Sequence, residues 1–329
     1  MPVRAVLGTH STSTAHSAMP SARFKSYEGL NTLDVLNLVR HNANGHRLQF
    51  QHLFGQVLSK PLAEADEKVA THLCATQEEC NSLNDARLKE LQGDEHTFTP
   101  CASSQDEDST TSNNKGGVRW IEDLEEQDFL TKTSGTRIIT LRLKVGLRVI
   151  FLRNEPQGKL RNGSLGTVTG FVKTSSSRPL YALAGTSNSS VNSPAQAYEW
   201  LPKVTWRDPR TNETFQGIVV PQELADLGDG SCPVWGLPLL GAEALTIHRS
   251  LGLTLQAVIL HCEGIFEDHQ FYEGISRTPS FEHLQVLNFT YEKIMVSEEA
   301  ARVMLQLEKM ATMPPESMPD MDVSNIVIP

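Results

Sequence analysis

Apolar positions change spacing several times along the chain, and each change marks a different kind of element. Leu33, Val35, Leu36, Leu38 and Val39 form a short patch of helical spacing, and the amphipathic segment that follows to Lys68 reads as mostly helical. Residues 69–74 are a compact apolar run of strand character that passes directly into a helix. Thr76 is the expected N-cap of that helix, with Glu78 and Glu79 favoured in its first turn by the helix dipole. A strand feeding a capped helix is the basic unit of an α/β domain. Residues 93–117 are polar and rich in turn formers, which predicts a long loop. The period then shortens to two through Ile139, Leu141, Leu143, Val149 and Phe151. Asn162-Gly163 is a strong hairpin signal, and further short strands are expected at 198–206 and 214–220, after a Ser/Asn-rich loop at 185–194. Several short strands separated by Gly, Asn and Pro predict a small barrel. Helix and strand alternate again after Pro238, with strands expected at 244–247, 255–261 and 284–289. A last helix is expected over 298–310, capped by Ser297, with Val303, Leu307 and Met310 on one face.

Composition narrows this picture without deciding function. The 329 residues are 39% hydrophobic and 21% charged, enough chain for two or three structural units with a substantial core. There is no run of 18 or more apolar residues, so no membrane-spanning helix and no membrane partner are expected. Residues 1–30 are Ser/Thr-rich and read as disordered; their few cations would also suit an organellar presequence. The five cysteines are scattered without a C-x-x-C pair, so free thiols are expected. His41, His46 and His52 have zinc-finger spacing but no preceding cysteine pair, so no structural metal is expected.

The net charge of -10 argues against a protein that coats nucleic acid indiscriminately. The charge is uneven, however. Arg137, Arg142, Lys144, Arg148, Arg153, Lys159, Arg161 and Lys173 crowd residues 136–173, where Glu155 is the one acid, so either a basic face or an ordinary solvated strand surface is expected there.

Two stretches carry candidate chemistry. LTIHRSLG (245–252) ends an apolar run in Thr246, His248, Arg249 and Ser250, followed by Gly252. At the carboxyl end of a strand these side chains are placed to meet a ligand, and the glycine lets backbone approach closely. Taken alone, such a strand end is more often structural. FYEGISR then sets Arg277 after Ser276 on an expected helix, 270–276. Taken alone, that arginine suits a surface ion pair.

The order of these elements resembles the PIF and RecD-like DNA helicases of superfamily one. Thr246, Ile247, His248, Ser250, Gly252, Leu253, Thr254 and Leu255 match one motor motif, and Tyr272, Ser276 and Arg277 match the next. ATHLCATQEECNSLN (70–84) resembles the entry into the second motor domain through Thr76 and Asn84. LKVGLRVIFLRNEPQGKLRNGSLGTVTGFV (143–172) resembles the opening of an inserted SH3-like barrel. The resemblance covers about residues 60–290. Three departures stand out: Gln77 for the usual asparagine, Arg249 for lysine and Leu251 for glutamine.

The resemblance implies an α/β fold: a second RecA-like motor domain interrupted by a small SH3-like β-barrel. The implied boundaries are a disordered 1–30, the first part of the RecA-like domain at 31–135 with its polar loop at 93–117, the insertion at 136–236, the remainder of the domain at 237–295 and a C-terminal helix and tail at 296–329. It implies single-stranded DNA contacts at Thr76, Asn84, Thr246, His248, Arg249 and Ser250, and nucleotide contacts at Gly252 and Arg277, with Arg277 as the catalytic arginine finger. ATP and Mg²⁺ belong to the complete motor; the chain contains no G-x-x-x-x-G-K-[ST], so alone it is expected to hold neither and to be inactive as an ATPase. The implied partners are single-stranded DNA and a first RecA-like domain missing from this chain. Nuclear residence is implied, with mitochondria as the alternative. The rival reading is a non-enzymatic DNA-binding module, or a decayed helicase relict of the kind carried by transposons.

Overall fold

The strand–helix unit expected at residue 69 sits at the centre of the computed structural model, which describes residues 31–40, 46–103, 118–135, 137–155, 160–174, 198–208, 213–225 and 233–297, with 299, 300, 302, 303 and 306. The strands in chain order are β1 (Thr71–Cys74), β2 (His96–Phe98), β3 (Cys101–Ser103), β4 (Val118–Trp120), β5 (Leu141–Leu143), β6 (Arg148–Phe151), β7 (Leu165–Lys173), β8 (Trp200–Arg207), β9 (Thr214–Ile218), β10 (Gln222–Ala225), β11 (Val234–Gly236), β12 (Leu239–Gly241), β13 (Ala244–Thr246), β14 (Val258–His261) and β15 (Leu284–Leu287). The helices are α1 (Thr32–Arg40), α2 (Arg47–His52), α3 (Glu64–Glu67), α4 (Gln77–Glu90), α5 (Leu124–Ser134) and α6 (Gln270–Ile275).

Four strands form an all-parallel sheet in the order β13-β1-β14-β15. Leu73 of β1 lies opposite Leu245 on one side and Leu260 on the other, and all three are buried. Such a sheet must be covered on both faces, which is why its strands read as apolar runs rather than alternating ones. Thr76 caps α4 as expected: its hydroxyl accepts from Glu79 N and the Glu79 carboxylate accepts from Thr76 N, both at 3.3 Å, a complete capping box. On another side, α1, α2 and the π-helical turn Leu53–Val57 bring Val35, Val39, Phe50 and Phe54 into the same core. Gly274 of α6 presses against β14 so closely that a Cβ would lie 2.6 Å from Leu260, which accounts for a glycine inside that helix.

Between β1–α4 and β13 the chain builds antiparallel structure. The largest piece is a five-stranded sheet, β12-β6-β7-β8-β9, centred on Val149, Val168, Val204 and the buried Trp206. The Asn162-Gly163 signal is realised as a turn before β7, in which Ser164 N donates to Arg161 O and Gly163 takes φ +93°, a left-handed conformation suited to glycine. Among the described residues no pairing joins β9 to β12, so the closed barrel expected from the strand count is not seen there. The long loop expected at 93–117 is also corrected in part. Residues 96–98 and 101–103 are the strands β2 and β3, pairing with β5 and with β4 and β11, while 104–117 lie outside the described residues. The expectations for 1–30 and 185–194, and most of the helix expected at 298–310, also lie outside them; Ser297 Oγ accepts from Ala300 N at 3.4 Å, as its capping role requires.

A pair of histidines spans two neighbouring parallel strands: His72 Nδ1 and His261 Nε2 are 2.8 Å apart. Burial, the facing His261 and Arg148 together push the His72 imidazole down to about 4, against a smaller opposing effect of Glu243. Burial also lowers His261. Both rings are therefore neutral in the folded protein at pH 7. Because the folded value lies below that of the unfolded chain, their stabilisation is complete above about pH 6.5 and is lost as the pH falls towards 4. Urea midpoints should drop between pH 6.5 and 4, and His72→Gln should flatten that dependence; an unchanged pH profile in the variant would contradict the assignment.

Candidate DNA and nucleotide interface

The candidate residues gather where β1 and β13 end and the following turns begin. Ile247 N donates to Cys74 O at 2.9 Å, extending the β1–β13 pairing one step and holding the His248–Ser250 turn against the sheet. Thr246 Oγ1 accepts from Arg249 N at 3.2 Å, and buried Ser250 donates from Oγ to Ile247 O at 2.6 Å. These bonds satisfy the polar groups of a tight turn and leave the His248 ring projecting. Gly252 adopts φ +79° with nothing near its Cβ direction, so glycine is required by the backbone there and not by crowding.

His248 is half exposed, and its Nε2 lies 2.9 Å from Glu267 Oε2. Gln270 shapes the loop that carries Glu267, since its side-chain carbonyl accepts from Phe266 N and Glu267 N at 3.0 and 3.4 Å. Nothing in the sequence pattern singles out Glu267, which lies in a polar segment 19 residues beyond its partner; only the fold joins them.

Arg277 follows α6, and its backbone carbonyl accepts from Leu255 N at 2.8 Å. Its guanidinium donates from Nε to Glu273 O (2.9 Å), from Nη2 to Ser276 Oγ (2.7 Å) and from Nη1 to Ser250 O (3.4 Å). Arg277 and the 246–252 turn are thus one connected unit. Among the described residues the guanidinium has only neutral acceptors and no carboxylate within ion-pair distance, so its charge is left for an anion to neutralise.

Thr76 and Asn84 are placed differently. The Thr76 hydroxyl is engaged in the cap of α4. The Asn84 amide brackets the backbone of β13, donating to Ala244 O and accepting from Ala244 N, both at 3.0 Å. Asn84 therefore fastens α4 to the strand that carries Thr246. Arg137 Nη2 is 3.5 Å from Asn81 Oδ1 in the first turns of α4, and the charges of Arg137 and Arg249 act on one another there.

Among the described residues the cations at 136–173 do not form one basic face, and Lys159 lies outside those residues. Arg148 joins the two kinds of sheet: it donates to Val69 O (2.7 Å) and forms a 2.8 Å ion pair with Glu243. Arg142 pairs with Asp85, Arg153 donates to Glu223 O and Leu224 O, and Lys173 pairs with Glu199. These charges are largely taken up within the fold. Among the described residues no group of three or more His, Cys, Asp or Glu side chains is arranged to hold a metal, and no helix is long and apolar enough to cross a membrane.

The carboxyl end of the parallel sheet thus carries a Thr-x-His turn tied to the arginine that follows α6. No family model matches the chain, but individual relatives do. The ATP-dependent DNA helicase PIF4 of Trypanosoma brucei brucei is 31% identical over 207 residues, 52% of this chain and 25% of that protein. The ATP-dependent DNA helicase PIF1 of Emericella nidulans is 28% identical over 264 residues, covering 73% and 33%, and that of Homo sapiens is 27% identical over 226 residues, covering 68% and 28%. Among solved structures, the Pif1 helicase from Candida albicans superposes with a TM-score of 0.60 at 25% identity, over 84% of this chain and 57% of that one. Bacteroides Pif1 bound to ssDNA shares the fold, with a TM-score of 0.51 at 18% identity over 84% of this chain and 53% of that one. The chain is similar, over part of its length, to these PIF-family DNA helicases. It spans a quarter to a third of the length of these curated relatives.

Proposed function

We propose that the chain is part of a DNA helicase motor: the second RecA-like domain, formed by residues 31–135 and 237–295, with the antiparallel strands β5 to β11 of 136–236 standing where the family carries its SH3-like insertion. The observation that carries this reading is the connection between Arg277 and the turn 246–252, through Arg277 Nη1 to Ser250 O and Leu255 N to Arg277 O. A group that grips DNA and a group that meets nucleotide are then mechanically continuous, which is what coupling of strand movement to nucleotide state requires.

In this reading Thr246, His248, Arg249 and Ser250 face single-stranded DNA, a ligand with which a protein of the same fold has been solved. His248 exchanges its Glu267 partner for the strand. Thr76 and Asn84 build the floor beneath them, through the α4 cap and the bracket on β13. Gly252 and Arg277 face the nucleotide. The unpaired Arg277 guanidinium suits the terminal phosphate of ATP, whose magnesium complex supplies the phosphoryl group in the complete motor; Arg277 would hold and neutralise that phosphate. The lysine and magnesium ligands of a P-loop are not among these 329 residues, so a first RecA-like domain is the proposed partner. A nuclear role follows from this reading.

Fluorescence anisotropy of labelled oligo-dT over a salt series tests it. The account expects affinity that weakens with salt according to a few phosphate contacts, and about tenfold or greater loss in a Thr246→Ala/His248→Ala double variant. Equal binding by a folded double variant would refute the grip.

A further inference from the structure

The polar segment between α5 and β5 contributes a second cation to this surface. Arg137 and Arg249 come from elements more than a hundred residues apart in the chain and converge on the start of α4: Arg137 Nη2 is 3.5 Å from Asn81 Oδ1, and the turn carrying Arg249 is bonded through Ile247 N to Cys74 O, three residues before the helix. Each is partly buried. The side chain of Arg137 makes one long hydrogen bond among the described residues, to Asn81 Oδ1 at 3.5 Å, and its Nε is buried without an acceptor. Arg249 has no ion pair or side-chain hydrogen bond among the described residues. The one carboxylate that acts on either is Asp128 of α5, on Arg137, and the cations oppose one another. Burial pushes both guanidiniums below their usual value, and Arg249 adds to the effect on Arg137. Two desolvated like charges with unfilled donors destabilise a fold unless an anion answers them. Gln77 and Asn81, joined by a 2.8 Å hydrogen bond, add neutral amides at the same place.

We propose that Arg137 and Arg249 form a clamp for one backbone phosphate of the bound single strand, placed beside Thr246 at the carboxyl end of β1 and β13. This rests on the DNA-facing reading of the 246–252 turn and adds Arg137 to it. The strand is favoured over a free phosphate because Arg249 is hydrogen-bonded through its own backbone to Thr246, while Arg277 reaches the turn separately through Ser250 O. A phosphate between two guanidiniums replaces their mutual repulsion with charge-assisted hydrogen bonds.

The test uses the whole chain, with Arg137→Met, Arg137→Lys and the Thr246→Ala/His248→Ala variant, each titrated with labelled oligo-dT across a salt series and melted in parallel. Arg137→Met should weaken binding several-fold at low salt and lower the slope of log affinity against log salt by about 0.7, one phosphate's share for a single strand. Its melting temperature should hold or rise, because a charge opposing Arg249 has gone, and Arg137→Lys should restore most of the slope. An unchanged slope in Arg137→Met while the double variant loses binding would overturn the clamp and leave the DNA reading intact. A loss in Arg137→Met with the double variant unaffected would support the clamp and overturn the Thr246/His248 grip. Inorganic tripolyphosphate supplies the remaining arm. If it raises the wild-type melting temperature but not that of Arg137→Met, and oligo-dT does not bind wild type, the pair serves a free phosphate and the DNA clamp is wrong.

Discussion

Replacing Arg277 by alanine, in a motor made by joining this chain to the P-loop half of a PIF-family helicase, is expected to lower ATP turnover by about 10³–10⁵-fold, the usual loss when an arginine finger is removed. The reason lies in what the guanidinium lacks. It is held by Glu273 O, Ser276 Oγ and Ser250 O, which fix its direction without neutralising its charge. A phosphate developing charge in the cleft would be its first anionic partner. Arg277→Lys should recover little, because a lysine cannot hold both Ser250 O and the Ser276 hydroxyl while reaching a phosphate. Steady-state ATPase with saturating oligo-dT checks this, and turnover within tenfold of wild type would remove Arg277 from the catalytic role.

The second large effect concerns the core and not the site. Phe54→Ala should destabilise the fold by about 3–5 kcal/mol, the range for emptying a large aromatic position in a core. Phe54 is fully buried, and its ring meets Phe271 (5.1 Å), Phe289 (5.2 Å) and Phe281 (6.1 Å) between centroids. Phe271 belongs to α6, which ends two residues before Arg277. The cavity would therefore loosen the helix that aims the arginine as well as lower stability. Urea unfolding measures the loss, and a change below about 1 kcal/mol would mean that the N-terminal helices do not belong to this core.

What the sequence made legible follows how local each signal is. Thr76, Glu78 and Glu79 announce a capped helix because the capping box is formed within four residues. Asn162-Gly163 announces a turn because Gly163 alone supplies the left-handed backbone. The strands inside 93–117 were illegible because β2 and β3 are made by distant partners, Leu141–Leu143 and Val234–Gly236, and not by their own alternation. The cations of 136–173 look like a basic face in the chain. In the fold Arg148 is drawn in by Glu243 and Arg153 by two carbonyls, and a one-dimensional pattern carries no information about such partners. The same limit hid Glu267 beside His248 and Arg137 beside Arg249, since each pair exists only where separate loops converge. Short strands and turns in the sequence do not say which edges meet, and among the described residues β9 and β12 do not pair to close a barrel.

Coupling through Arg277 requires that a single strand lie across the turn from Thr246 to Gly252. Photo-crosslinking oligo-dT carrying 4-thiothymidine to the intact chain, followed by peptide mapping, tests it most directly. Crosslinks concentrated in the peptide spanning 246–252, and competed away by unlabelled oligo-dT, are the predicted result. Crosslinks confined to the antiparallel strands between residues 141 and 241, with none on that turn, would contradict it.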